Sequence, residues 1–356
     1  MIIRPALVAL LAVLTGCAVT AGREAPAPEP VAPVKSDAIR ISAVGDIMLD
    51  ASARATMDQR GYDYAFDATR EVLSGSGIVI GNLEGPLAMG GTPEPDKQFL
   101  FRSPPDKVAP ALARAHFNVL NLANNHTLDY GADGLGETLA ALRAHGVATC
   151  GAGTNLDEAR RPAIIEVDNV RVAFLGYSLT YPESFYATAT RAGTAYGYEE
   201  QVRADVAAAR AANDAVIVSF HWGQEGSTDL RDYQVKLGRA AIDAGAIAVL
   251  GHHPHILQAV ERYGDGVILY SLGNFAFGSF SPRATRSVIA TLGIRDGRLV
   301  ETRLIPLNVN NFEVYFQPQL LSGPDADDVV TRLQTLSGAR GTTIRNDTGV
   351  AVVELE

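Results

Sequence analysis

The chain has 356 residues, of which 47% are hydrophobic, and a formal net charge of -10 at pH 7. This is enough apolar material for one large or two small domains, which excludes disorder over most of the chain. The acidic balance argues against nucleic acid or an anionic lipid surface as a partner, because neutralising phosphates needs clustered lysine and arginine. An anionic ligand would have to be held locally, by a metal ion or by a few cationic side chains.

Residues 1–17 have the parts of a secretion signal. Arg4 precedes an apolar run over 6–14 that is too short to span a bilayer, and Leu14-Thr15-Gly16-Cys17 resembles the lipobox of bacterial lipoproteins. Cys17 would then be the lipidation site, with the acyl chains that stable anchoring requires. An ordinary cleaved signal with an incidental cysteine is the alternative. Because Ala18 rather than Asp follows, we expect an extracytoplasmic protein anchored in the bacterial outer membrane.

The segment 18–37 is rich in Ala, Pro, Glu and Val without periodicity, which predicts an extended tether. No second linker interrupts residues 38–356, so these are expected to form one domain. Cys150, the other cysteine, lies at the apparent end of a strand. If Cys17 carries lipid, Cys150 has no internal disulfide partner, and we expect a small buried residue there.

Apolar runs of strand length alternate with Ala-rich segments of helical spacing. Buried strands are predicted over 39–44, 78–81, 119–122, 215–220 and 247–250. Helices are predicted over 105–115, 132–145, 199–212 and 230–244. This alternation indicates parallel strands joined by helices.

Hairpins are predicted at 167–171, 263–267 and 294–298, so the sheets should be mixed. Parallel units and hairpins together favour a sandwich of two mixed sheets with helices on both sides. Near the carboxyl terminus, 326–336 is predicted to be helical and 349–355 to form a final edge strand.

Short polar clusters close the predicted buried strands. They are Gly45-Asp46-Ile47-Met48, Gly81-Asn82-Leu83-Glu84-Gly85, Asn124-Asn125-His126, His221-Trp222-Gly223-Gln224-Glu225 and Gly251-His252-His253-Pro254-His255. Since the carboxyl ends of parallel strands line one crevice, the clusters point to a single place. Imidazole with carboxylate suits Zn, Mn or Fe. Taken singly, Asp46 could cap a helix, Asn124-Asn125 could be a turn and His221 a core histidine; their joint recurrence predicts a metal site.

In chain order these clusters, with Tyr270-Ser271-Leu272-Gly273-Asn274-Phe275, resemble the signature motifs of the CapA-type poly-γ-glutamate capsule biosynthesis family. The resemblance implies an α/β fold, a four-layer αββα sandwich related to the calcineurin-like metallophosphatases. It also implies a protein of capsule or poly-γ-glutamate synthesis or processing at the cell surface. Its expected partners are an anionic polymer such as poly-γ-glutamate and membrane proteins of capsule synthesis.

The wider superfamily's two-metal pattern, carried over by position, implies metal ligands in this chain. They are Asp46, Glu84, Asn125, His221, His253 and His255. One site keeps a full set in Glu84, Asn125, His221 and His253. The other keeps only Asp46, Glu84 and His255, because Met48 stands where a histidine belongs and a thioether is a poor ligand for hard ions. We therefore expect one well-held divalent ion (Mn, Zn or Fe) and a second that is weak or absent.

The resemblance further implies a metal-dependent hydrolase or transferase acting on γ-glutamyl amide bonds, with His126 as proton donor oriented by Asp129. Weaker candidates for substrate binding are Asn82, Asn124, Trp222, Glu225, His252, Asn274, Lys97 and Arg102. The ring of Trp222 is expected to wall the cleft. Lys97, Arg102, Arg283 and Arg286 are either contacts for an anionic polymer or solvated surface charges.

Two other functions stay open at this point. One is a non-catalytic component that binds or exports the polymer in a capsule assembly, and the other is a metallophosphoesterase. The full imidazole set favours an active site, whereas Met48 argues against an ordinary two-metal phosphoesterase. The sequence shows no Gly-x-Ser-x-Gly, P-loop or Gly-x-Gly-x-x-Gly pattern, so serine hydrolase, nucleotide kinase and dinucleotide functions have no support.

Overall fold

A computed structural model describes residues 38–355 of the protein. The predicted signal segment with Cys17 and the predicted tether over 18–37 lie outside the described residues. The strands are β1 (Ile39–Met48), β2 (Ile78–Leu83), β3 (Val119–Asn121), β4 (Ala148–Cys150), β5 (Ala152–Gly153), β6 (Ala163–Val167), β7 (Val170–Ser178), β8 (Gly193–Thr194), β9 (Ala215–His221), β10 (Ala248–His252), β11 (Val260–Tyr263), β12 (Gly266–Leu269), β13 (Asn274–Phe277), β14 (Arg286–Arg295), β15 (Arg298–Asn308), β16 (Gln319–Leu320), β17 (Ile344–Asp347) and β18 (Val350–Val353).

The helices cover the sheets and connect the parallel strands. They are α1 (Arg54–Arg60), α2 (Tyr64–Asp67), α3 (Arg70–Ser74), α4 (Pro105–Arg114), α5 (Gly131–Ala144), α6 (Leu156–Ala159), α7 (Glu199–Ala212), α8 (Asp232–Asp243), α9 (Asn311–Val314) and α10 (Gly323–Gly338). No helix within residues 38–355 is long and apolar enough to cross a membrane.

Two large mixed sheets carry the fold. The first has the order β17-β18-β15-β14-β1-β2-β3-β4, with β13 beside β1 and β16 beside β15, and the second has the order β11-β12-β10-β9-β7-β6. Strands β1 to β4 run parallel in the first sheet, as do β7, β9, β10 and β12 in the second. The three predicted hairpins are confirmed as β6–β7, β11–β12 and β14–β15.

Three separate hydrophobic cores define four layers. Helices α1, α2, α4 and α5 pack on the first sheet around Phe66, and helices α7 and α8 pack on the second sheet around Val218. The third core lies between the sheets and includes Ile80 from one and Ile217 from the other. Successive residues of a strand face opposite cores, which is why the central strands are apolar throughout. The predicted αββα sandwich is confirmed.

One sequence expectation about the sheets is wrong. The last strand, β18, is not an edge strand, because it pairs with β15 on one side and with β17 on the other. The edge is β17, whose exposed Arg345 and Asn346 give it a polar surface. Cys150 ends β4 as a buried free thiol, as expected.

Within the second sheet, β10 lies very close at Gly251 to the residues that directly follow its neighbours β9 and β12. A Cβ atom there would lie 1.9 Å from the carbonyl oxygen of Tyr270 and 2.8 Å from Nε1 of Trp222. We therefore predict that Gly251→Ala lowers the free energy of unfolding by about 1–3 kcal/mol or more, measured by urea unfolding.

The matched control for this prediction is Gly136→Ala. Gly136 is an exposed position of α5 where an added Cβ meets nothing within 4 Å. Since alanine is the better helix former, this variant should gain about 0.5–1 kcal/mol. Wild-type stability in Gly251→Ala would show that the close approach does not constrain the fold.

Candidate metal centre

Six polar side chains converge from the carboxyl ends of both sheets. Asp46 lies near the carboxyl end of β1, Glu84 follows β2 and Asn125 follows β3. The second sheet contributes His221 at the end of β9, with His253 and His255 after β10. The local order is fixed by strand pairing, since Asp46 pairs with Asn82 on one side and Asn274 on the other.

The side-chain atoms of these residues are close enough to share a cation. In each of the groups Glu84-His221-His253 and Asp46-Glu84-His255, the potential ligand atoms lie within 4.8 Å of one another. Glu84 belongs to both groups, and Oδ1 of Asn125 lies 2.7 Å from Nε2 of His221. The structure thus brings together all six ligands implied by the resemblance.

Glu225 belongs to a third group of potential metal ligands. Its carboxylate forms a set with His253 and His255 in which potential ligand atoms again lie within 4.8 Å, but Glu225 itself is exposed. His253 and His255 have φ angles of 93° and 59°, which are uncommon for residues with a side chain. Such conformations cost energy and concentrate at functional sites.

An asparagine network supports the carboxylates from the first sheet. Asn82 donates from Nδ2 to Oδ1 of Asp46 at 2.8 Å, and its own Oδ1 accepts from Asn121 at 2.9 Å and from Asn124 at 3.2 Å. On the other side of Asp46, Asn274 places Oδ1 2.9 Å from Nδ1 of His255. These amides fix the orientation of the candidate ligands rather than adding ligands of their own.

The two central carboxylates are both 0% exposed, and their environments shift their pKa values in opposite directions. Burial raises the pKa of Glu84 well above its usual value. Burial acts the same way on Asp46, but hydrogen bonds and charge from His252 and His255 outweigh it and hold the pKa of Asp46 well below its usual value. Asp46 is therefore ionised at neutral pH.

The pKa values of the histidines are also shifted in opposite directions. Burial and neighbouring imidazoles lower the pKa of His221 well below its usual value and that of His253 to about 3, so both rings are neutral. Burial would also lower the pKa of His255, but the charges of Glu84 and Asp46 outweigh it and raise that pKa to about 10. A protonated His255 thus balances the carboxylate charge of the protein alone.

The donor set fits a divalent metal ion. Oε1 of Glu84 and Nδ1 of His253 are buried atoms without a hydrogen-bond partner among the described residues. Unsatisfied buried acceptors are rare and costly, and neutral imidazole with carboxylate is a usual ligand set for Zn, Mn or Fe. The site can therefore hold a divalent cation.

The residues implied as acid and orienting partner lie beside this centre. Nδ1 of His126 lies 2.7 Å from Oδ2 of Asp129 and 3.1 Å from Nζ of Lys97, and a proton on Nδ1 is donated to the carboxylate, which only accepts. Asp129 is fully buried and also accepts from the backbone amide of Phe101 and from Lys97. Nε2 is left as the atom of His126 that can exchange a proton with a substrate.

Trp222 is placed differently from expectation, and two of the cationic candidates make local contacts. Trp222 does not wall a cleft: it is 0% exposed, stacks on Phe220 and donates from Nε1 to the carbonyl oxygen of Tyr270 at 2.9 Å. Arg102 covers the ring of Tyr130. Arg286 bonds to Asn308 of the neighbouring strand β15. The side chain at each position follows the local packing, which a motif does not reveal.

Lys97, His252 and Met48 also take specific positions. Lys97 is neither solvated nor free to bind a polymer, because it forms an ion pair with Asp129. His252 lies buried with Nδ1 3.3 Å from Oδ1 of Asp46. Met48 is buried, and its sulfur accepts from the backbone amide of Asp50 at 3.3 Å.

Sequence reasoning missed Asn121 and a group of tyrosines near the centre. Asn121 is the last residue of β3, and its position at a strand end was the signal that could have found it. Five of the twelve tyrosines fall between 177 and 198, a local density visible in the sequence. Three side chains of the centre, Asn125, Glu225 and His253, line the same cleft as several of these tyrosines.

Comparison with known sequences gives one family. The sequence model of the family described as bacterial capsule synthesis protein PGA_cap matches residues 40–279. The capsule biosynthesis protein CapA of Bacillus anthracis is 33% identical over 290 residues, covering 79% of this chain and 71% of that protein. The PGA biosynthesis protein CapA of Bacillus subtilis is 34% identical over 280 residues, covering 78% and 71%.

Among solved structures, the NAD nucleotidase of Haemophilus influenzae is similar with a TM-score of 0.48 and 12% sequence identity, covering 84% of this chain and 56% of that one. This likeness is too low to bear on function. The four-layer arrangement rests on the three cores of the chain itself.

Proposed function

The chain belongs to the bacterial capsule synthesis protein family PGA_cap, and from that premise we propose that it is a metal-dependent hydrolase or transferase acting on γ-glutamyl amide bonds of a capsule polymer. The relatives named CapA are described as capsule or PGA biosynthesis proteins. The observation that carries the catalytic part is the adjacency of the candidate metal ligands and the His126–Asp129 pair, which follows Asn125 directly in the chain.

In this proposal, one set of residues binds the metal ion and another transfers the proton. Glu84, Asn125, His221 and His253 would hold the metal, which when bound would supply Lewis acidity to polarise the scissile carbonyl. His126 would give a proton to the departing amine from Nε2, while Asp129 holds the ring through Nδ1.

A cationic contact for the polymer is available on one side of the centre. The guanidinium of Arg283 lies near Gly226, one residue beyond Glu225, and makes no ion pair among residues 38–355. Among the cationic side chains suggested by the sequence, Arg283 is a candidate contact for a γ-glutamyl carboxylate because it lies next to the residue that follows Glu225. Met48, with its buried sulfur, favours one strong metal site over two.

We predict that protein purified without chelators binds one divalent ion tightly per chain. Glu84→Gln and His221→Ala should each weaken binding by more than about 100-fold, because each removes a direct ligand. Elemental analysis and titration of the stripped protein measure this. His145→Ala, which removes an exposed histidine at the end of α5, is the control and should bind like wild type. A reproducible two equivalents in wild type would contradict the single-site proposal.

We predict that His126→Ala, with its metal retained, cleaves γ-glutamyl oligomers at least about 10²-fold more slowly than wild type. Burial lowers the pKa of His126 from its usual value despite Asp129. If the protonated ring is the donor, turnover should be highest below that lowered pKa and fall as pH rises through it.

The same assay with a generic phosphodiester separates the proposed activity from a phosphoesterase. Cleavage of the phosphodiester alone would remove the γ-glutamyl assignment. Equal turnover of wild type and His126→Ala would remove His126 as proton donor, and His145→Ala again serves as the histidine control.

We further propose that the protein acts outside the cytoplasm, anchored to the outer membrane through Cys17. In a Gram-negative host fed labelled palmitate, the full chain should take up label and sediment with membranes, whereas Cys17→Ser should do neither. Unlabelled wild-type protein in the soluble fraction would contradict lipidation at Cys17.

A further inference from the structure

A cleft of about 860 Å³ opens beside the candidate metal centre, and five of its lining residues are tyrosines. Asn125, Glu225 and His253 of the centre line it. The tyrosines of its lining are Tyr181, Tyr186, Tyr196, Tyr198 and Tyr233. A molecule in this cleft would therefore lie next to the candidate ligands and in contact with aromatic rings.

Three of the rings form an angled aromatic corner. The centroids of Tyr186 and Tyr196 are 4.6 Å apart with planes inclined by 65°, and those of Tyr196 and Tyr198 are 4.4 Å apart at 59°. Tyr186 is fixed by donating its hydroxyl hydrogen to the carbonyl oxygen of Thr180 at 2.7 Å. Tyr198 is 60% exposed and Tyr181 is 78% exposed, so aromatic surface is open to a ligand.

The charge of the cleft is negative. Its one basic lining residue, Lys236, is neutralised by Glu199, with Nζ 2.8 Å from Oε2. Glu183 lines the cleft without forming an ion pair among residues 38–355, whereas Glu225 lies with His253 and His255 among the candidate metal ligands. The faces of aromatic rings also carry negative partial charge. A run of free carboxylates would be repelled here, whereas a cation would be attracted by both the rings and the carboxylates.

We propose that this cleft binds an organic ammonium group, carried by the amine that accepts a γ-glutamyl group from the polymer at the neighbouring candidate metal centre. The inference rests on the proposed function and selects transfer over hydrolysis when such an amine is present. The corner of Tyr186, Tyr196 and Tyr198 contacts the alkylammonium, and Glu183 balances its charge.

The corresponding reaction conserves atoms and charge. The bound ammonium first releases one proton to solvent, which leaves a neutral amine. Its nitrogen then forms a bond to the γ-carbonyl carbon while the existing amide C–N bond breaks. The proton lost by the attacking nitrogen is taken up by the departing amine, and His126 Nε2 is the group placed to pass it on. One amide is thereby exchanged for another without water being consumed.

Binding of cadaverine to the metal-loaded full-length protein tests the cleft directly, with 1,5-pentanediol as an uncharged probe of the same length. Ligand-observed NMR titration should show cadaverine binding at least about fivefold more tightly than the diol. Glu183→Gln and Tyr196→Leu should each weaken cadaverine binding by about fivefold or more, since each removes one part of the cation site.

Glu166→Gln is the matched charge control. Glu166 lies in β6 opposite Arg171, at the far end of β7 from the centre, and its substitution should leave binding unchanged. Equal binding of cadaverine and the diol, or preferential binding of a neutral sugar such as cellotetraose, would overturn the inference. So would cadaverine binding that survives both Glu183→Gln and Tyr196→Leu.

Because this titration involves no turnover, it is read independently of the proposed function. Repeating it with His126→Ala should give the wild-type affinity. Glu183-dependent binding of cadaverine supports the ammonium site even if γ-glutamyl oligomers are not cleaved. Normal cleavage by a protein that does not bind cadaverine would overturn the ammonium site alone.

Discussion

Asp46 and Glu84 are buried together where the carboxyl ends of both sheets meet, and the need to compensate two buried carboxyl groups constrains the side chains around them. Removing an ionised carboxylate from water costs several kcal/mol unless a partner compensates. Asp46 is compensated by Asn82, His252 and His255, whereas one oxygen of Glu84 has no hydrogen bond among the described residues. A divalent cation shared by these carboxylates would satisfy that oxygen, and the neutral rings of His221 and His253 are in the state that binds such an ion.

Holding these charges together requires β1 to lie very close to the segment that joins β12 of the second sheet to β13 of the first. An added Cβ at Gly45 would lie 1.9 Å from the carbonyl oxygen of Gly273, and the amide of Asp46 donates to that same oxygen at 3.0 Å. The strained φ angles of His253 and His255 follow directly after β10, so a rigid strand fixes where the strain is placed. Core packing thus maintains conformations that cost of order 1–3 kcal/mol each in isolation.

The strand framework could be predicted from the sequence, whereas the contacts of individual side chains could not. The apolar runs, hairpins and strand-end clusters were visible because burial on both faces and turn chemistry leave local patterns. The direction of Trp222, the ion pair of Lys97 and the inner position of β18 depend on neighbours distant in sequence, so no local pattern reports them. The tyrosine cleft was missed for a related reason: its rings are brought together by loops, and loop conformation follows no periodicity.

The two sides of the centre differ in polarity, and this bears on how an anionic polymer could be recognised. With a net charge of -10 the chain as a whole repels a polyanion, and the tyrosine cleft is acidic as well. Under the proposed function, attraction would come from the metal and from cationic side chains near the centre such as Arg283, which are short-range contacts under physiological screening. Under the proposed function, the protein would bind one or two γ-glutamyl units at the scissile bond, and the rest of the polymer would stay in solvent. The negative cleft would then keep the rest of the polymer out of the space reserved for the second substrate.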